Sequence, residues 1–590
     1  MVMRATLLAG SAMVGALLST ASGDRPPPGN AAADGPARTF EARCAAIGSE
    51  MKGAWPVPAT RIVASVYRVA GPAPTPPGPP GMAMPPATLP VHCEVTGTMH
   101  ERTGIDGQHY AIRFHLRLPE NWNHRFFFQG GGGTNGDLGD AIGRLTGDAA
   151  PALTQGFAVL SQDSGHDNAT NALPDRGGAT AFGFDPQARA DFGGASLAPV
   201  TRAAKAVVGK FYGAAPRYSY FVGCSKGGQE GMALAQRYPE LYDGIVAAAP
   251  GFSLPRAALA EAWDTQSFAQ VARAKGERVT PASLAATFSD SDLGLVRKAV
   301  LEACDADDGL KDGIVGNFRQ CTSAKVLPAL ARSTCTGEKQ DSCLSRAQVG
   351  ALVRVHDGVA TTAGKPLYAG FPWDAGWSDM GWRIWKIGLA DGHVPAINVM
   401  MGAPALATIF TVPPKVPGVG LESMLAYHLG FDFDRDGGAI YATSKIYPRS
   451  GWQDVGARSP DLAAFRKRGG RMVVPQGVSD PVFSINDTIA WWNEVNSKVD
   501  GTASQFVRVF PVSGMGHCAG GPATDRFDSF GALVQWVEQG KAPDRIEASS
   551  GPMSPWHGRT RPLCRYPLIA RPKPGTVGGE RAESFVCARG

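Results

Sequence analysis

The chain carries no dense block of lysine or arginine, and its formal net charge is only +5 over 590 residues. Phosphate binding needs clustered cations, so nucleic acid is excluded as the main partner. After the first twenty or so residues no segment stays apolar for the ~20 residues that a bilayer-spanning helix requires, so no stable membrane insertion is expected. No internal repeat is present. What the chain does have is Gly (74 residues) and Pro (46), set between apolar runs. That pattern predicts many turns and long loops within a folded protein. The hydrophobic (44%) and charged (18%) fractions are those of an ordinary globular protein. The length admits several domains, or one large domain with an insertion.

The N-terminus has a basic start, "MVMR", an apolar run, "ATLLAGSAMVGALLS", and small residues, "TASG". Residues 1–23 therefore read as a secretory signal peptide, with cleavage between about Ala21 and Asp24. The mature protein is expected to be soluble and either secreted or periplasmic. Ten cysteines, an even count, suit an oxidising compartment. Spacing suggests Cys304–Cys321 around an acidic turn, Cys335–Cys343 around "CTGEKQDSC", Cys564–Cys587 around the tail, and Cys44–Cys93 around a Pro-rich stretch. Cys224 and Cys518 remain.

Strand-like and helix-like segments alternate in two blocks. "HYAIRFHLRLP", "RFFFQ", "GFAVLSQ", "YSYFVG" and "YDGIVAAA" read as strands. "LAPVTRAAKAVVGKFYG" and "SKGGQEGMALAQRYP" read as helices between them. From about Phe252 to about Gly451 the chain turns helical and irregular, rich in Trp, Gly and Pro. Alternation resumes at "RMVVPQGVSDP" and continues through "SFGALVQWVEQG". The expectation is an α/β fold with a mainly parallel sheet and flanking helices, interrupted by a large insertion. The divisions are 24–252 for the first part of the core, 253–455 for an inserted lid and 456–590 for the second part. Sites in open α/β sheets lie at the carboxyl ends of the strands, where such an insertion emerges.

Gly223-Cys224-Ser225-Lys226-Gly227 matches G-x-S-x-G between a strand and a helix, the context that a nucleophile elbow requires. A serine hydroxyl attacks only when held out and deprotonated by a base. In the chain order Ser, Asp, His, the candidates are Asp480 in "GVSDPVF" and His517 in "SGMGHCAGG". Each follows a predicted strand; His557, the other late histidine, lies in the tail. If Ser225 and His517 touch, their neighbours Cys224 and Cys518 are brought within disulfide reach. Gly130–Gly133 follows a strand, as half of an oxyanion hole should. Gly132 is the expected amide donor there, acting with the backbone N–H of Lys226.

"GCSKGG", "SDP" and "GHC", with "FFFQGGGGTNG", "YDGIVAAAPG", "FTVPP" and "TRPLCRYP", resemble the tannase/feruloyl esterase family of secreted α/β hydrolases. The resemblance covers most of the mature chain. It implies an α/β-hydrolase core, a Ser225–His517–Asp480 triad, and a disulfide joining the neighbours of the serine and histidine. It also implies a structural calcium ion in the lid, at the acidic stretch "CDADDGLKDGIVGNFRQC", which by itself reads equally as a solvated turn. Its ligands would be the side chains of Asp305, Asp308 and Asp312 and the carbonyls of Leu310 and Ile314. The spacing is not that of an EF-hand.

The family includes feruloyl esterases, tannases and an enzyme hydrolysing the monoester of terephthalate and ethylene glycol. By the resemblance, that last enzyme meets its substrate's free carboxylate with a lid arginine. Here no Arg or Lys lies between Lys386 and Lys415, which leaves Lys415 as the substitute. The lid is rich in aromatics: Tyr368, Phe371, Trp373, Trp377, Trp382, Trp385 and Phe410. Most are expected in its core, and some to stack on a planar acyl group.

The expected function is a secreted serine carboxylesterase, hydrolysing hydroxycinnamoyl or galloyl esters through an acyl-enzyme and using no organic cofactor. The substrate would be a small aromatic ester, free or attached to plant polysaccharide or polyphenol. Terephthalate monoester hydrolysis, a peptidase or lipase, and a catalytically silent binding protein on the same scaffold are the alternatives.

Overall fold

Phe126, Phe127 and Phe128 are consecutive and fully buried. Successive residues of a strand point to opposite faces, so a strand of this kind must be covered on both sides. In the computed structural model, which describes residues 38–73, 87–145, 147 and 149–590, it lies inside a nine-stranded sheet. Numbered along the chain, the strands are β1 (Thr60–Arg68), β2 (His92–Thr103), β3 (His109–Pro119), β4 (Arg125–Gln129), β5 (Ala158–Gln162), β6 (Tyr218–Cys224), β7 (Gly244–Ala248), β8 (Arg471–Gly477) and β9 (Val507–Val512). Their spatial order is β1-β2-β3-β5-β4-β6-β7-β8-β9. From β5 to β9 every neighbouring pair is parallel. The joins β1–β2, β2–β3 and β3–β5 are antiparallel.

The two faces have separate cores. Phe126, Phe128, Phe221 and Ile245 join the larger cluster; Phe127, Tyr220, Val246 and Val473 join the other. The helices that matter below are α1 (Leu197–Tyr212), α2 (Lys226–Arg237), α3 (Leu254–Ala274), α4 (Met380–Lys386), α5 (Ile485–Lys498) and α6 (Ser529–Gln539). Strand and helix alternate from β5 to β7 and again from β8, while among the described residues β1 to β5 follow one another without an intervening helix. Two strands without a clear alternating pattern, β1 and β2, extend the sheet at one edge.

The segment 253–455 is helical and irregular, as its composition suggested. It belongs with the sheet in one compact unit, Phe40–Gly590. The signal segment expected at 1–23 lies outside the described residues. Among the described residues no helix is long and apolar enough to cross a membrane.

Candidate active site

Ser225 sits between the end of β6 and the start of α2 with φ 64° and ψ −121°. A non-glycine residue in that region is strained and persists only where its surroundings fix it. Here the Ser225 amide donates to the Ala248 carbonyl (3.1 Å), and its carbonyl accepts from Gly251 N–H (3.0 Å). The turn is so tight that a Cβ on Gly223 would lie 2.5 Å from the Gly227 carbonyl carbon. That contact is the physical content of the flanking glycines: they admit the close approach of strand and helix.

The histidine and the acid come from the two loops that follow β8 and β9. His517 Nε2 is 2.9 Å from Ser225 Oγ, and His517 Nδ1 is 2.9 Å from Asp480 Oδ2. Asp480 is buried; its other oxygen accepts the amides of Val482 (2.8 Å) and Phe483 (3.1 Å). With the Nδ1 proton donated to Asp480, Nε2 is free to accept the serine proton. The three residues picked from sequence are therefore in one hydrogen-bonded line, able to activate a hydroxyl. His557 is exposed in the tail.

Gly130–Gly133 runs past the start of α2. Gly130 N–H donates to Val222 O (2.9 Å), and Gly131 N–H donates to Glu230 Oε2 (2.9 Å). Neither the Gly132 nor the Lys226 amide finds a protein acceptor among the described residues. Lys226 opens α2, where the first amides have no intrahelical partner and the helix dipole favours negative charge. The Lys226 side chain turns inward: its Nζ is 3.0 Å from Glu230 Oε1, and burial pulls its pKa down.

Two cross-links hold the loops. Cys224 and Cys518 are disulfide-bonded with α-carbons 6.1 Å apart, across 294 residues of chain. The other four pairs are Cys44–Cys93, Cys304–Cys321, Cys335–Cys343 and Cys564–Cys587, the partners that their spacing suggested. The second cross-link gave no signal in the sequence. Asp374, fully buried, accepts from Ser479 Oγ (2.7 Å) and Gly514 N–H (2.7 Å) through one oxygen. It thereby joins the loop of Asp480 to the loop of His517. Burial pushes its carboxyl up to about 6, against those hydrogen bonds.

The profile of the family described as tannase and feruloyl esterase matches residues 93–588. The chain belongs to that family. It is 45% identical to the mono(2-hydroxyethyl) terephthalate hydrolase of Piscinibacter sakaiensis over 555 residues, covering 90% of this chain and 89% of that one. It is 28% identical to a probable feruloyl esterase of Arthroderma benhamiae over 528 residues, 87% and 88% of the two chains. The crystal structure of feruloyl esterase B from Aspergillus oryzae has the same fold, with a TM-score of 0.68, 21% identity and coverage of 93% of this chain and 100% of that one. The family is one of carboxylic ester hydrolases, and this chain is one.

In this esterase the inserted segment reaches the site through Trp385. The Trp385 ring lies 5.4 Å from the His517 ring, edge to face, and Phe483 packs at 5.3 Å. The other aromatics singled out from sequence are buried: Trp373, Trp377 and Trp382 fully, Tyr368, Phe371 and Phe410 nearly so. They are lid core. The cations flanking the basic-free stretch are both engaged. Lys386 is fully buried and paired with Asp264, while Lys415 is half-exposed and lies 3.7 Å from Asp436.

The acidic stretch folds as a tight loop closed by Cys304–Cys321. Asp305 accepts from Asp312 N–H and Gly313 N–H, both at 3.1 Å. Asp308 accepts from Leu310 N–H (3.0 Å), and Asp312 accepts from Ile314 N–H (3.1 Å) and pairs with Arg561. Burial pushes the Asp308 carboxyl up to about 7, reinforced by the negative charges of Asp312 and Asp305. Oxygen donors alone, with carboxylates that repel one another, suit a calcium ion chemically. In the conformation described, backbone amides and Arg561 bond to oxygens of all three aspartates. No group of three or more His, Cys, Asp or Glu side chains is closed up as a metal centre among the described residues.

Proposed function

We propose that the chain is a serine carboxylesterase acting on aromatic esters whose acyl part carries no second charge. The observation that carries this reading is the unbroken line Ser225–His517–Asp480, with both contacts at 2.9 Å, on a strained elbow. His517 takes the Ser225 proton as Oγ bonds to the ester carbonyl carbon, and Asp480 stabilises the imidazolium. The carbonyl oxygen, now negative, accepts from the amides of Gly132 and Lys226. The alcohol leaves with the proton from His517, giving an acyl-Ser225 intermediate. Water, deprotonated by the same imidazole, adds to the acyl carbon; Ser225 leaves, recovering the proton, and the acid is released.

Trp385 and Phe483 beside His517 favour a planar aromatic acyl group, of the hydroxycinnamoyl or galloyl kind. The 45% identical relative from Piscinibacter sakaiensis favours a second reading, hydrolysis of mono(2-hydroxyethyl) terephthalate. That substrate brings a free carboxylate into the site, where an unpaired buried charge is costly. Lys386 and Lys415 already have carboxylate partners, so the uncharged aromatic acyl group is preferred. The five disulfides support export to an oxidising compartment. The oxygen-rich loop of Asp305, Asp308, Asp312, Leu310 and Ile314 would hold a calcium ion. The ion would brace the lid without entering the reaction.

The test is hydrolysis of methyl ferulate, methyl gallate and mono(2-hydroxyethyl) terephthalate by one preparation. Expected is a kcat/KM for the ferulate or gallate at least about tenfold above the terephthalate, whose carboxylate would meet no partner. The reverse order would establish the second reading.

A further inference from the structure

Glu230 has no place in the reaction just described, yet it is fully buried one turn along α2 from the nucleophile. A buried carboxylate is costly unless its oxygens are fully hydrogen-bonded or paired. Here Oε2 accepts Gly131 N–H at 2.9 Å. Oε1 accepts Lys226 Nζ at 3.0 Å, Asn135 Nδ2 at 2.9 Å and Ser164 Oγ at 3.2 Å. Its partners fall on both sides of the proposed anion site. Lys226 contributes one backbone donor. Gly131 and Asn135 flank the other, and the Asn135 N–H also donates to the Gly132 carbonyl at 2.8 Å.

The peptide joining Gly131 to Gly132 is held from the same side. Its carbonyl oxygen packs against Gly227, where a Cβ would come within 2.6 Å of it. In a trans peptide the N–H points opposite to the C=O, so the Gly132 donor is directed away from Gly227. Catalysis at an oxyanion depends on donors fixed before charge develops, and errors of under an ångström are costly.

We propose that Glu230 is a positioning residue for ester hydrolysis: its carboxylate ties the glycine loop to the elbow helix and sets the spacing between the Gly132 and Lys226 amides. The proposal rests on the reading of those two amides as the oxyanion donors. Lys226 Nζ is then the counter-charge to Glu230 and stays out of the substrate site, packed 4.6 Å from the centre of the Phe192 ring.

Glu230→Gln keeps the shape and replaces one acceptor oxygen by a donor nitrogen. It is expected to lower kcat by about 10²-fold, the scale of one misplaced oxyanion donor, with KM within about twofold of wild type. Lys226→Met/Glu230→Gln removes both buried charges. It is expected to recover the melting temperature lost in the single variant but not kcat, which separates loop positioning from charge balance. An aryl boronic acid, whose adduct with the serine places an oxygen at the anion site, provides the second readout, compared with the product acid. Wild type should bind the boronate at least about 100-fold more tightly, and Glu230→Gln should lose most of that ratio. A wild-type ratio near one would remove the oxyanion reading and this proposal with it. A high wild-type ratio left unchanged in Glu230→Gln, or kcat restored in the double variant, would overturn the role of Glu230 alone.

Discussion

At the scale of single residues, several buried acids sit far from their usual pKa, and Glu261 on α3 is the extreme case. Burial pushes its carboxyl up to about 8, with Asp264 adding to the rise and Lys386 opposing it. An acid with a raised folded pKa keeps its proton in the folded state after the unfolded chain has lost it. The folded state is therefore favoured at low pH, and stability falls as pH rises from the ordinary value of 4.5 to about 8. Glu261→Gln has no proton to lose. Its melting temperature is expected to fall less than that of wild type between pH 5 and pH 9, with the gap opening towards the alkaline end. Parallel melting curves across that range would show Glu261 to be ionised or solvated. The residues of the triad were legible because each follows a strand in a short motif. Glu230 was not, although Lys226 and Glu230 stand at the visible i,i+4 spacing. Its meaning comes from Gly131 and Asn135, each more than 90 residues earlier in the chain.

At the scale of elements, the site is an assembly of loops at the carboxyl ends of β4, β6, β8 and β9. Their relative placement rests on long-range ties. The Cys224–Cys518 bridge closes a loop of 294 residues, for which chain entropy alone gives an upper figure of about 5 kcal/mol. Its more specific consequence is to limit the drift of His517 relative to Ser225. Cys224→Ser/Cys518→Ser is expected to lower both the melting temperature and kcat, the latter by about tenfold or more with KM little changed. Stopped assays below the lowered melting temperature check this; an unchanged kcat would make the bridge a stabilising link only. The bridge was legible because both cysteines adjoin catalytic motifs. Asp374, which ties the same loops from the inserted segment, lies in "FPWDAGW" with nothing local to mark it. The edge strand β1 is not legible in the sequence for another reason. Its burial is irregular, and a register shift between Ile62 and Ala64 breaks its alternation.

At the scale of the whole molecule, the sequence pattern separates an α/β core from a helical insertion, and the structure packs both into one unit. The insertion contributes Trp385 to the site and keeps most of its other aromatics for its own interior. A linear pattern rich in tryptophan does not distinguish those two uses, because both require flat apolar surface. The same packing decides which cations are available, and so bears on substrate charge. The proposed function depends on one chemical event, the acylation of Ser225. The most direct test is to treat the protein with a fluorophosphonate, or with an aryl ester quenched in acid, and to map the adduct by peptide mass spectrometry. One adduct on the peptide containing Ser225 is expected. Ser225→Ala should give no adduct and lose at least about 10⁴-fold in kcat/KM while keeping its fold. Labelling at another residue, or undiminished hydrolysis by Ser225→Ala, would contradict the account.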